Sequence, residues 1–270
     1  GDVWKFVQQM EGLKGFPDVI KCIDRKFNLG YYNEKVEGVA PIVTWKQPLI
    51  VIRDPTFLQV SARKFNKEEL QYWNGFHQDI SDIKRENIYV PKEIYRNRVK
   101  QPIEIMTFCF YFPEIDAWKL YRPYAEKRVK GMPPHLWKWD NSINNLTYIE
   151  NLKSLENCKV GVVGKAKKCR MVIRKATGIE SICNLQAEDP SAMTEEDMQW
   201  IDDNCETKVA VMDADKKGKE MSWWLTKQRG YKHCNTPDVL LPSINDMAEW
   251  AKTMGSLDCI TNHFRRKNII

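Results

Sequence analysis

The sequence predicts an α+β region, basic and mixed in character, followed by an α/β domain built on a mainly parallel sheet. From residue 158 onward, strand-like and helix-like stretches alternate at short period: Lys159–Val163, 165–177, Ile179–Leu185, a helix to about Cys205, 208–213 and a helix from about 217 to Arg229. That alternation is expected of parallel strands covered by crossover helices. Residues 32–115 instead mix short β-rich runs with a helical piece, and 116–140 is aromatic and basic. The change of texture puts a boundary near 145–157, dividing 32–150 from 151–270.

The elements follow in order. Gly1–Met10 opens at once with apolar residues at helical spacing, and a second helical stretch runs from about Phe16 to Lys26. Two short helices have little to pack on, so residues 1–31 are expected to be the tail of an upstream domain. Pro48–Ile52 and Ile103–Phe112 read as strands. Asn66 is placed to cap a helix reaching Trp73, with Glu68 and Glu69 in its first turn. The basic segment breaks at Gly131 and Pro133-Pro134. In the later region Thr194-x-x-Asp197 forms a capping box, Gly178 and Gly230 stop helices, and a final helix is expected from about Ser243 to Met254, stopped by Gly255.

At 270 residues, with 43% apolar and 29% charged residues, the chain suits one large or two modest domains. A net charge of +6 biases it mildly toward an anionic partner. The eight cysteines include no C-x-x-C pair and the four histidines are dispersed, which argues against a disulfide framework or a zinc site. No apolar run approaches the roughly 18–20 residues that span a membrane. A reducing cytoplasm is the expected compartment.

Chemistry concentrates at Lys208–Glu220. A short apolar run ends in Asp213-Ala214-Asp215, and Gly218 opens a helix. The run reads as a buried strand, and alternation along it points both aspartates to one side. Two carboxylates at the mouth of a buried strand call for a cation, and Mg²⁺ or Mn²⁺ takes carboxylates together with water and phosphate oxygens. An exposed acidic turn is the plainer alternative. Glu188 and Asp189 offer carboxylates from a neighbouring strand end, and Asp246 offers either a third acidic group or a helix-stabilising charge. Two-metal phosphoryl chemistry generally draws on several carboxylates.

Gly161-Val162-Val163-Gly164-Lys165 is not a P-loop: the glycine spacing is wrong and Ala166 follows the lysine. The helix start Lys165-Ala166-Lys167-Lys168-Cys169-Arg170 can neutralise phosphate beside a helix N-terminus, or can be a solvated basic face. Trp118-Lys119-Leu120-Tyr121-Arg122-Pro123-Tyr124 leads through Lys127, Arg128 and Lys130 to Trp137-Lys138-Trp139. Cations interleaved with aromatics suit a groove for single-stranded nucleic acid, though core aromatics flanked by surface lysines look the same.

In this order the pieces resemble a phage-type member of the bacterial-type DNA primases. Asp213-x-Asp215-x-x-Gly218 matches the D-x-D-x-x-G motif of the Toprim domain, and Asn245-Asp246 sits where a third acidic motif would follow. Trp118–Pro123 resembles a basic segment of the primase core, which would make Lys119 and Arg122 template or nucleotide contacts. The opening residues resemble the end of the zinc-binding domain that precedes that core. One departure stands out: the glutamate expected at the end of the first Toprim strand is replaced by Val163-Gly164-Lys165. Either Glu188 supplies the missing carboxylate or Lys165 holds a phosphate.

The resemblance implies metal-dependent synthesis of short RNA primers on a single-stranded DNA template. Asp213, Asp215 and Asp246 would hold metal, with Glu188 joining Asp213 and Asp215 in catalysis. Lys119, Arg122, Lys127, Lys165, Lys167 and Lys168 would contact nucleoside triphosphates or nucleic acid, and a replicative helicase is an expected partner. The alternatives are a non-catalytic Toprim relic that binds single strands, and a Toprim nuclease.

Overall fold

The computed structural model describes residues 10–13, 15–27, 56–126, 129–145, 147–241 and 243–270. Two compact units divide the chain, residues 1–52 and 53–270. In the first, α1 (Phe16–Phe27) carries Asp18 in its first turn, where a carboxylate complements the helix dipole. The strand expected at Pro48–Ile52 and the helix expected over residues 1–9 lie outside the described residues.

The second unit begins with an antiparallel sheet. β1 (Leu58–Arg63) is joined to its partner β2 (Ile88–Arg96) through α2 (Lys67–Asn74) and α3 (Ile80–Arg85). Asn66 caps α2 in a full capping box with Glu69. Asp79 and Asp82 do the same for α3, a helix of six residues, too short to declare itself by periodicity. β3 (Val99–Gln101) pairs on β2, and β4 (Phe108–Phe112), β5 (Ala117–Tyr121) and β6 (Trp139–Asn141) extend the sheet in the order β1-β2-β4-β5-β6. The strand expected from Ile103 begins only at Phe108, whose partner is Tyr121 at the end of β5. Arg122 and Pro123 then turn the partner chain away, leaving 103–107 no ladder to join. Trp73, Phe76, Phe108, Phe110 and Tyr121 bury an aromatic core between this sheet and α2.

The remainder alternates as expected. β7 (Cys158–Gly164), α4 (Lys167–Thr177), β8 (Ile182–Asn184), α5 (Glu195–Asn204), β9 (Cys205–Val211), α6 (Lys216–Arg229) and β10 (Lys232–His233) build a four-stranded sheet of order β10-β9-β7-β8, with every pairing parallel. Val162, Val163, Val209 and Ala210 are fully buried, because helices cover both faces of such a sheet. The Thr194/Asp197 capping box opens α5.

The last helices differ from expectation in two ways. α7 (Met247–Met254) begins after Asp246, not at Ser243, because Asp246 is its extended N-cap and accepts from the Glu249 N–H. A further helix, α8 (Asp258–Arg266), follows it; Ile260 and Phe264, four apart, are its buried face, and Thr261 Oγ1 donates to the Ala176 carbonyl at the end of α4.

Candidate metal centre

Three connections leave the carboxyl ends of adjacent parallel strands and converge. Lys165 follows β7, Glu188 lies in the loop after β8, and Asp213 and Asp215 lie in the loop after β9. Ligands bind at this end of open α/β sheets. One oxygen from each of Glu188, Asp213 and Asp215 lies within 4.8 Å of the others. β9 ends at Val211, so the aspartates are brought together by a loop and not by strand alternation. Asp215 is the extended N-cap of α6, its Oδ1 accepting from the Gly218 N–H at 3.0 Å. Any Cβ on Gly218 would overlap the Asp213 backbone carbonyl, so the motif's glycine is required by the close approach of helix to loop.

The loop is held from two sides. Glu188 Oε1 accepts from the Asp213 N–H at 2.8 Å, and the Ala214 N–H donates to the Asn245 carbonyl at 2.8 Å. The second bond ties the aspartate loop to the turn before α7 and brings the charge of Asp246 to bear on Asp213. Asp246 itself is outside the group of three; its Oδ1 is taken by the α7 cap. Asp189, beside Glu188, is exposed and caps a 3₁₀ turn through Ser191.

Lys165 stands where the resemblance leads one to expect a glutamate. Its Nζ donates to Glu188 Oε2 at 2.7 Å and lies 3.7 Å from Asp213 Oδ2. One ammonium among three carboxylates leaves the cluster short of positive charge. Burial first, and then the neighbouring Glu188, push the Asp213 carboxyl up to about 7 against the opposing pull of Lys165. A hard divalent cation such as Mg²⁺ or Mn²⁺ suits this all-oxygen, charge-deficient set.

The basic helix start does not act as one face. Lys165 lies in the turn before α4, and within the helix successive residues turn by about 100°, so the cations part three ways. Lys165 joins the carboxylates. Lys168 lies over the rings of Phe76 and Tyr121, 4.8 and 5.2 Å from their centroids, within reach of the charge of Asp246. Lys167 and Arg170 turn inward to Glu150 and Glu86. Lys252 of α7, which sequence patterning did not single out, also lies over Phe76, 5.0 Å from its centroid, and over Tyr72.

The aromatic-basic segment divides similarly. Lys119 lies 5.1 Å over the Trp139 ring, and burial, reinforced by Lys165 and Lys167 against Glu150, lowers its ammonium to about 8. Arg122, expected at the nucleic acid, is 2% exposed and donates through Nη1 to the Trp137 carbonyl at 2.8 Å. A guanidinium sealed in this way braces the β5–β6 connection and is not presented to a template. Lys127 lies outside the described residues. No helix among the described residues is long and apolar enough to cross a membrane.

No family model and no curated protein matches the chain. Among solved structures it is similar to the primase fragment of the bacteriophage T7 primase-helicase protein, at 10% identity and a TM-score of 0.50, over 77% of this chain and 82% of that one. It is also similar to the RNA polymerase domain of Mycobacterium tuberculosis primase DnaG, at 10% identity and a TM-score of 0.49, over 73% and 74% of the two chains. For the zinc-binding and RNA polymerase domains of the Aquifex aeolicus primase the values are 10% and 0.48, over 99% and 70%. At such identity the likeness to the T7 primase fragment is one of fold.

Proposed function

We propose that this chain is the catalytic core of a DNA primase, joining ribonucleoside triphosphates on a single-stranded DNA template. The observation that carries the reading is the convergence of Glu188, Asp213 and Asp215 at the carboxyl ends of a parallel sheet, within a fold like that of the T7 primase fragment. In this reading the later domain, 151–270, is Toprim-like and the three carboxylates hold Mg²⁺ or Mn²⁺. When bound, the cation would neutralise and orient the phosphates of the incoming nucleotide.

The chain's own groups do the rest. Glu188 fixes the Asp213 backbone, and Asp215 does double duty as the cap that sets the start of α6. Lys168, near Asp246, and Lys252 carry their ammonium groups on aromatic faces, suited to phosphate oxygens. Lys119 provides a further cation on the partly exposed Trp139 ring, which is itself stacked on Tyr121. Catalysis on such a site is mostly positioning and charge neutralisation. A cytoplasmic setting and a helicase partner belong to the same proposal.

Extension of an RNA primer already annealed to a DNA template tests the reading, because it bypasses initiation-site recognition. The wild type should add ribonucleotides with Mg²⁺ or Mn²⁺, and Asp213→Asn/Asp215→Asn should not. Strand degradation without nucleoside triphosphate would indicate a nuclease instead. One observation favours a second reading, a strand-binding subunit without catalysis: the Lys165 ammonium already supplies positive charge to Glu188 and Asp213. That reading requires strand binding by the folded wild type with neither extension nor cation uptake.

A further inference from the structure

A cavity of about 380 Å³ opens between α4, the α3–β2 turn and the segment around Glu150. Lys167, Arg170 and Arg174 line it from one face of α4, since spacings of three and four residues stack side chains along a helix. Their partners are two carboxylates. Glu86 accepts from both Arg170 and Arg174, and its carbonyl accepts from Lys167 at 3.0 Å. Glu150 takes Lys167 at 2.7 Å and Arg170 at 2.6 Å. Against the upward push of burial, Arg170 and Lys167 hold the Glu150 carboxyl down at about 2, so both partners are accounted for as anions.

Three buried cations face two buried carboxylates; the exposed Glu114 and Glu180 also line the cavity, with Arg85 paired to Glu180, so the lining as a whole is balanced in charge. What the cluster lacks is hydrogen-bond acceptors. Arg170 Nη1 and Arg174 Nη2 are buried and have no acceptor among the described residues. Their side chains are only 5% and 10% exposed, and both line the cavity. Buried guanidinium N–H groups without an acceptor are costly, and a tetrahedral oxyanion is the group whose geometry several such donors fit at once. Tyr111, Phe112 and Tyr148 complete the wall, giving an apolar surface next to the cationic one.

We propose that this cavity binds a phosphate group, either free or carried by a small nucleotide whose base lies against the aromatic wall. The cavity shares no residue with the carboxylate cluster, and the proposal does not rest on the primase reading.

The test is calorimetric titration of the full chain, in EDTA, with inorganic phosphate and separately with adenosine monophosphate. EDTA removes any cation that could recruit phosphate to Glu188, Asp213 and Asp215. We expect saturable one-site binding that persists in Asp213→Asn/Asp215→Asn and weakens about tenfold or more in Arg174→Gln, the loss of a charge-assisted contact. Arg174→Lys keeps the ion pair with Glu86 but removes the spare N–H; it serves as the folded control and should also weaken binding. Tighter binding of the nucleotide than of phosphate identifies the aromatic wall as part of the site; equal binding confines the site to the phosphate. Heats no different from dilution for both ligands in the wild type would overturn the proposal. So would binding that disappears in the aspartate pair yet survives in Arg174→Lys.

Discussion

Replacing Lys165 by alanine removes the ammonium that lies 2.7 Å from Glu188 and 3.7 Å from Asp213. At an effective dielectric near 20, the Coulomb attractions at those distances are about 6 and about 4 kcal/mol, before the desolvation of both partners is subtracted. The Glu188 side chain is 1% exposed, so its carboxylate would be left buried without its cation. Stripping one partner from a fully buried pair costs about 3–5 kcal/mol. Lys165 is itself 36% exposed, and water screens the pair, which brings the expected loss to about 1–3 kcal/mol. A divalent cation should close most of it: with the competing ammonium gone the three carboxylates hold the cation more tightly than in the wild type, and each tenfold in affinity narrows the gap by about 1.4 kcal/mol at saturation. Urea unfolding of wild type and Lys165→Ala, in EDTA and in saturating MnCl₂, reads both effects. The variant should be less stable in EDTA and close most of the gap in Mn²⁺. Equal stability in EDTA, or a gap that Mn²⁺ leaves unchanged, would refute the reasoning.

Further outcomes follow from the same geometry. The native Asp213 carboxyl sits at about 7 against 3.8 unfolded, so the folded state binds more protons between those values. The stability that goes with this proton uptake is full below the unfolded value and lost as pH rises through about 7. In EDTA, Asp213→Asn should therefore gain over wild type as pH climbs through that window and level off above it, by at most about 4 kcal/mol. A gain that does not change with pH would contradict this. Gly218→Ala should destabilise by about 1–3 kcal/mol through overpacking and weaken Mn²⁺ binding as well, because α6 must shift off the Asp213 carbonyl; calorimetry and melting read both. Asn66→Ala should cost about 1 kcal/mol in urea unfolding and leave Mn²⁺ binding intact, since it removes only the α2 cap.

Local rules were legible where one residue decides. Asn66 and Thr194 announce their helices because a cap is a contact within four residues. Gly178, Gly230 and Gly255 mark helix ends because the left-handed conformation there favours glycine. Asp213, Asp215 and Gly218 drew notice as a motif, although the loop and cap that bring the two aspartates together were not visible as strand alternation. What depended on long-range partners was not legible. The run from Lys165 to Arg170 looks uniformly basic in sequence, yet its cations part company because Glu86, Glu150 and Glu188 reach it from distant segments. Arg122 reads as a surface cation until the Trp137 carbonyl, fifteen residues on, is folded over it. The spacing of Lys167, Arg170 and Arg174 was a usable sign of one cationic helix face, but nothing local said that the face is buried.

The central claim is that Glu188, Asp213 and Asp215 form a divalent-cation site. Calorimetric titration of Mn²⁺ into the wild type and into Asp213→Asn/Asp215→Asn, both first shown to be folded, tests it most directly. Saturable binding in the wild type that vanishes in the double variant is the predicted result. Binding that survives the double variant, or a folded wild type that takes up no Mn²⁺ even with nucleoside triphosphate present, would contradict it.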